Sequence, residues 1–224
     1  MATRGSGFTA AVWAILRKEC RSEWRTRYGL NAAILFAVTT LTAVSFAVGK
    51  LSNRTDVLAA LLWIVLLFAA LASLSHCFVR EVEGRTLTLL RQVASPTAIA
   101  FGKLLFNLLF LFVIEGVTVP LFLLLMGGSL PSWGPFLTLL LLGGLALASS
   151  ATLVGAIISQ TRGRGALFAG VSFPLLLPVL AAAVVGTRAQ WQGASIVAEV
   201  RLLAAYAAAV LGVSLLLYDH LWED

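Results

Sequence analysis

Six apolar runs, each about as long as a bilayer-crossing helix, occupy most of the 224 residues, and the charged residues fall almost entirely between them. A helix needs roughly 20 mainly apolar residues to cross about 30 Å of hydrocarbon. The runs lie at Gly29–Gly49, Val57–Phe78, Phe101–Met126, Phe136–Ser159, Ala166–Gly186 and Leu202–Tyr218. Backbone N–H and C=O groups must be paired inside lipid and strand alternation is absent, so the runs read as helices. A composition 60% hydrophobic and 12% charged, with a mean hydropathy of +0.97, exceeds what a soluble domain of this size can bury. The sequence therefore predicts an all-α integral membrane protein, a single domain over 1–224 with six transmembrane helices in a bundle over 29–218.

The net charge of +6 is distributed in a way that speaks for orientation rather than nucleic acid. Six Lys and Arg residues precede the first run. Four belong to the 2–3 loop, counting Lys103 at the start of the third run, and two to the 4–5 loop. The 1–2 and 5–6 loops hold two each, and the 3–4 loop and the tail none. The positive-inside rule then places both termini in the cytoplasm of a multi-pass protein of the bacterial-type inner membrane. Its basic residues face lipid head groups, and no nucleic-acid partner is expected. The first run is too long for a signal-peptide core and reads as an uncleaved helix.

Little chain remains for catalysis. There is no phosphate-binding G-x-x-x-x-G-K-[ST] loop, so any ATP must be hydrolysed by another chain, and no catalytic residue is assigned. Cys20 and Cys77, both in cytoplasmic segments, do not read as a disulfide, and no cysteine spacing matches covalent haem attachment or a zinc knuckle. His76 and Cys77 are neighbours on one helix, about 100° apart, and cannot readily share a metal. His220 sits in the tail. No metal site and no cofactor held by this chain alone are expected.

Two cytoplasmic elements stand out. In residues 1–28, Trp13, Leu16, Cys20 and Trp24 recur at helical spacing with Arg17, Lys18, Arg21 and Arg25 between them. This reads as an interfacial amphipathic helix, aromatics on one side and bases on the other, with a bend at Tyr28-Gly29 before the first span. The other reading is a plain extension of the first span with snorkelling bases. In 80–96, Glu81, Glu83 and Arg85 flank a break at Gly84. Thr86 offers an N-cap, Leu87, Leu90 and Val93 form a short stripe, and Ser95-Pro96 turns the chain back to the bilayer. Such a helix either docks a partner or packs on its own bundle.

Inside the membrane, Asn107, Glu115 and Thr118 can share a polar face of the third span, as a lateral groove or as interhelical hydrogen bonds. Pro174 and Pro178 predict a bend in the fifth span. Small residues four apart in the fourth span (Gly144, Ala148 and Thr152; Ala151, Gly155 and Ser159) predict close helix packing, within the chain or against a second copy. Trp133 and Trp191 in the 3–4 and 5–6 loops read as interface anchors.

Glu81…Gly84-x-Thr86-Leu87-x-x-Leu90, Ser95-Pro96, Gly102-Lys103-Leu104-Leu105-Phe106-Asn107, Glu115 with Pro120, Arg162-Gly163-Arg164-Gly165, and Phe173-Pro174 with Pro178 together resemble ABC-2-type permeases. More closely, they resemble the CcmB, or haem exporter protein B, family. The resemblance spans essentially the whole chain. It implies a non-catalytic permease subunit in haem delivery for cytochrome c maturation, with haem as a substrate of the complex and ATP bound by a separate CcmA-like ATPase. It further implies CcmC-like and CcmD-like membrane subunits, a CcmE-like periplasmic haem carrier reached indirectly, and a second copy of the chain as a further partner. By the same resemblance the 80–96 segment is the coupling helix gripped by the ATPase. Thr88 stands where ABC-2 relatives often carry an acidic residue, so no particular salt bridge follows. A generic ABC-2 exporter half for lipids, glycans or drugs is a second reading, and a membrane scaffold that translocates nothing is a third.

Overall fold

The computed structural model describes residues 4–49, 54–83, 95–127, 130, 132–159 and 164–221. Among them are seven helices and no strands: α1 Arg4–Thr26, α2 Tyr28–Val48, α3 Thr55–Glu83, α4 Pro96–Met126, α5 Trp133–Ser159, α6 Arg164–Trp191 and α7 Val197–Leu221. Five of them (α2 and α4–α7) are long and apolar enough to cross a membrane. The second apolar run lies on α3, whose described apolar portion, Thr55–Ala69, is shorter than the others.

Composition explains the positions of the helices. α5 carries a run of small residues from Gly143 to Thr152, and small side chains let neighbouring backbones approach. It touches α3, α4, α6 and α7, and 72% of its apolar window is buried, against 17% for α2 and for α7. Trp63 of α3 lies so close to Gly143 that a Cβ there would overlap the indole ring. The same indole N–H donates to Oγ1 of Thr187 on α6 at 2.8 Å, joining three helices in the core. α2 sits at the edge and buries only the stripe Gly29, Ala33, Ala37 and Leu41, its four-residue spacing marking one face.

Helix ends are closed by local chemistry. Ser95 is the N-cap of α4, its Oγ accepting from the Ala98 N–H at 3.4 Å, with Pro96 at the first helical position. Ser95-Pro96 therefore starts the helix, five residues before the apolar run. α4 ends at Gly127, whose left-handed φ of 72° suits a residue without Cβ. α6 is continuous through Pro174 and Pro178, both exposed, and the Tyr206 hydroxyl of α7 donates to the Leu175 carbonyl between them.

Candidate functional site

The best-defined polar structure joins the N-terminal helix to the start of α4. Phe8 packs edge-on against Phe101 with ring centroids 6.1 Å apart. A Cβ on Gly102 would lie 2.6 Å from Cγ2 of Ile15, so only glycine permits this approach. One position on, Lys103 Nζ donates to Glu19 Oε1 at 3.3 Å, and both residues are buried, at 1% and 7% exposure. Lys18 reaches the same carboxylate oxygen at 3.2 Å from the surface side. Contacts spread over α1 from Phe8 to Glu19 thus converge on three consecutive residues of α4. Burial alone destabilises a lone ammonium or carboxylate; here each neutralises the other.

This arrangement corrects three sequence expectations. Lys103 is not a loop cation at the head groups but one half of a buried ion pair with Glu19 of α1. The chain bends at Arg27, in the left-handed region at φ 51°, rather than at Tyr28-Gly29. Glu23 makes that corner possible: its Oε1 accepts the Leu30 N–H at 2.9 Å, and Gly29 leaves room for the carboxylate. Finally, α1 does not segregate aromatics from bases. Its inner face holds Ile15 and Glu19, while Trp13 and Trp24, at 66% and 73% exposure, lie outward with Arg17, Lys18, Arg21 and Arg25. Cys20 is partly buried beside this joint, and burial together with the Glu19 carboxylate pushes its thiol pKa up.

Within the bundle, Asn107, Glu115 and Thr118 are all buried on α4. Asn107 Nδ2 donates to Thr152 Oγ1 of α5 at 2.8 Å, and Thr152 passes its own hydrogen to the Ala148 carbonyl at 2.6 Å. Glu115 lies against Gly144, where a Cβ would stand 3.0 Å from Oε1. Glu115 Oε1 and Thr118 Oγ1 have no hydrogen-bond partner among the described residues. Gly144 and Thr152 of the small-residue row thus face α4 of the same chain. Glu115 and Thr118 make no bond to Asn107.

Trp191 does not anchor a loop. α6 continues past Gly186 to Trp191, which is 9% exposed, stacks on Phe122 with centroids 6.3 Å apart and lies 6.1 Å from Phe136. The readable signal is Gly193, a helix-stopping glycine at φ 71°, with Arg188 in the last turn. Trp133 is 58% exposed, at the start of α5. The Trp63–Thr187 bond had no signal in sequence, because its partners are 124 positions apart.

Of the 80–96 segment, Glu81 and Glu83 fall in the last turn of α3, and Ser95 and Pro96 open α4. Gly84, Arg85, Thr86, Leu87 and Leu90 lie outside the described residues, as do the side chains of Glu81, Glu83, His76, Cys77 and His220. Among the described residues, no three His, Cys, Asp or Glu side chains gather as a metal site would require.

An all-helical, multi-pass membrane protein is the class that the described helices define. The CcmB protein family model matches residues 10–219, and the chain belongs to that family. It is also similar to heme exporter protein B of Bradyrhizobium diazoefficiens, 30% identical over 182 residues, which cover 80% of this chain and 82% of that one.

Proposed function

We propose that this chain is the permease subunit of an ABC-type exporter complex that serves haem delivery in cytochrome c maturation. Membership of the CcmB family over nearly the whole length carries this reading. In it, six helices cross the inner membrane with both termini cytoplasmic, α3 providing the second crossing. The chain hydrolyses nothing itself; a CcmA-like ATPase does, working with CcmC-like and CcmD-like subunits to release the haem-loaded CcmE-like carrier.

The 80–96 segment docks the ATPase. The described flanks favour a mechanical role for it. It connects the end of α3 directly to the capped start of α4, and α4 touches α1, α2, α3, α5 and α7. A displacement of the segment therefore reaches α1, α2, α3, α5 and α7 through one element, and α6 through the Phe122–Trp191 stack. Asn107 on α4 and Thr152 on α5 keep those two helices in register as α4 moves. The Asn107, Glu115 and Thr118 face serves interhelical packing in this reading, and Pro174 and Pro178 supply a bend in α6.

A mild-detergent pull-down from native membranes, with partners identified by mass spectrometry, tests the proposal. An ATPase recovered with a CcmC-like protein is the expected result. An ATPase alone would redirect the assignment to a generic ABC-2 exporter, and no ATPase would overturn the docking role. Reversing charge at Glu81 and Glu83 is expected to weaken ATPase co-purification while the bundle stays folded; unchanged recovery removes those two residues from the docking surface.

A further inference from the structure

The outer face of α1 has a composition that the permease role does not use. Trp13, Arg17, Arg21 and Trp24 are spaced 4, 4 and 3 apart and so form one helical stripe, with Arg25 at its edge. All five are exposed. Arg27 adds a further cation, its guanidinium 5.0 Å from the Trp24 ring centroid. The acids of this helix are turned elsewhere. Glu19 is buried against Lys103, and Glu23 caps the first turn of α2. The stripe is thus purely cationic, bracketed by two large amphipathic aromatics.

We propose that this stripe binds the phosphate head groups of anionic phospholipids. Charge complementarity calls for an anion, and two arguments select lipid over an acidic protein. Tryptophan favours the head-group level of a bilayer, where its ring is half in hydrocarbon and its N–H is hydrated. One residue, Arg27, separates α1 from the apolar helix α2, which keeps the stripe close to the membrane surface. Guanidinium groups offer forked donors that match phosphate oxygens. The Ile15–Gly102 contact and the Glu19–Lys103 pair then fasten the lipid-bound helix to α4.

Tryptophan emission of the full chain in nanodiscs tests this, using brominated phosphatidylglycerol or brominated phosphatidylcholine at equal mole fraction as quenchers. Subtracting the signal of a Trp13→Phe/Trp24→Phe variant isolates the two α1 indoles. Phosphatidylglycerol is expected to quench them about twofold more strongly, a preference that shrinks as salt rises to about 0.5 M. It should also fall to parity in an Arg17→Gln/Arg21→Gln/Arg25→Gln variant. Those side chains are exposed, so the variant's unchanged thermal unfolding confirms that it is folded. Equal quenching by both lipids overturns the proposal. So does a preference that persists in the triple variant, and loss of an acidic protein partner in that case reassigns the stripe to protein.

Discussion

Lys103 and Glu19 illustrate how a single residue changes meaning between sequence and structure. A lysine at the mouth of an apolar run reads as a head-group contact, and nothing local distinguishes it from one. Its burial follows from Gly102 beside it, which lets α1 approach until the ammonium is enclosed against the Glu19 carboxylate, with Lys18 at that carboxylate's outer edge. Breaking this buried charge-assisted contact from either side removes it, so Glu19→Leu or Lys103→Leu is expected to cost about 1.5 to 3 kcal/mol. The paired Glu19→Leu/Lys103→Leu change should cost much less than the two singles combined. Thermal unfolding of the four proteins in detergent, treated as a double-mutant cycle, measures the coupling. Cys20 reports on the same joint. Burial and Glu19 both disfavour its thiolate, so in a Cys77→Ser background maleimide labelling at neutral pH should be slower than for a free thiol and accelerate as pH rises. Glu19→Gln removes one of the two causes and should speed labelling at fixed pH.

Helix approach is set by glycines, and they divide into those that something needs and those that nothing does. Gly102 and Gly143 are pressed by Ile15 and Trp63, whereas Gly116 on the outer side of α4 has nothing within 4 Å of a built Cβ. Gly102→Ala and Gly143→Ala should each destabilise by about 1 to 3 kcal/mol through overpacking. Gly116→Ala should be neutral or stabilise by up to about 1 kcal/mol through helix propensity. Unfolding midpoints of the three variants separate a packing role from a generic intolerance of the bundle. The α4–α5 contact is also polar: Asn107→Leu removes its bond to Thr152 and is expected to cost about 0.6 to 2 kcal/mol by the same measurement. The small-residue row on α5 was legible because four-residue spacing is a local property. Which neighbour it meets was not, since α3, α4, α6 and α7 all offer apolar faces.

At the scale of the whole molecule, α5 is the enclosed centre and α2 and α7 the least buried of the five long apolar helices, while α1 is joined chiefly to α4. One end of the bundle is closed by Phe122, Phe136 and Trp191, contributed by α4, α5 and α6. Trp191→Ala is expected to cost about 3 to 5 kcal/mol, as for other buried aromatics, and to raise hydrogen–deuterium exchange at the ends of all three helices. An anchor exposed at the lipid interface would produce neither effect.

The sequence by itself determined the class of the protein, the approximate extents of its apolar helices and its family, because each depends on run length, composition and ordered local motifs. It also located the amphipathic N-terminal helix and the buried polar positions Asn107, Glu115 and Thr118. Only the tertiary structure decided the rotation of each helix about its axis. In a chain where nearly every face is apolar, periodicity marks no inner side, and the orientation is settled by where small residues let distant helices touch. That is why Trp13 and Trp24 face outward among arginines, why Lys103 is buried, and why Trp191 belongs to the core.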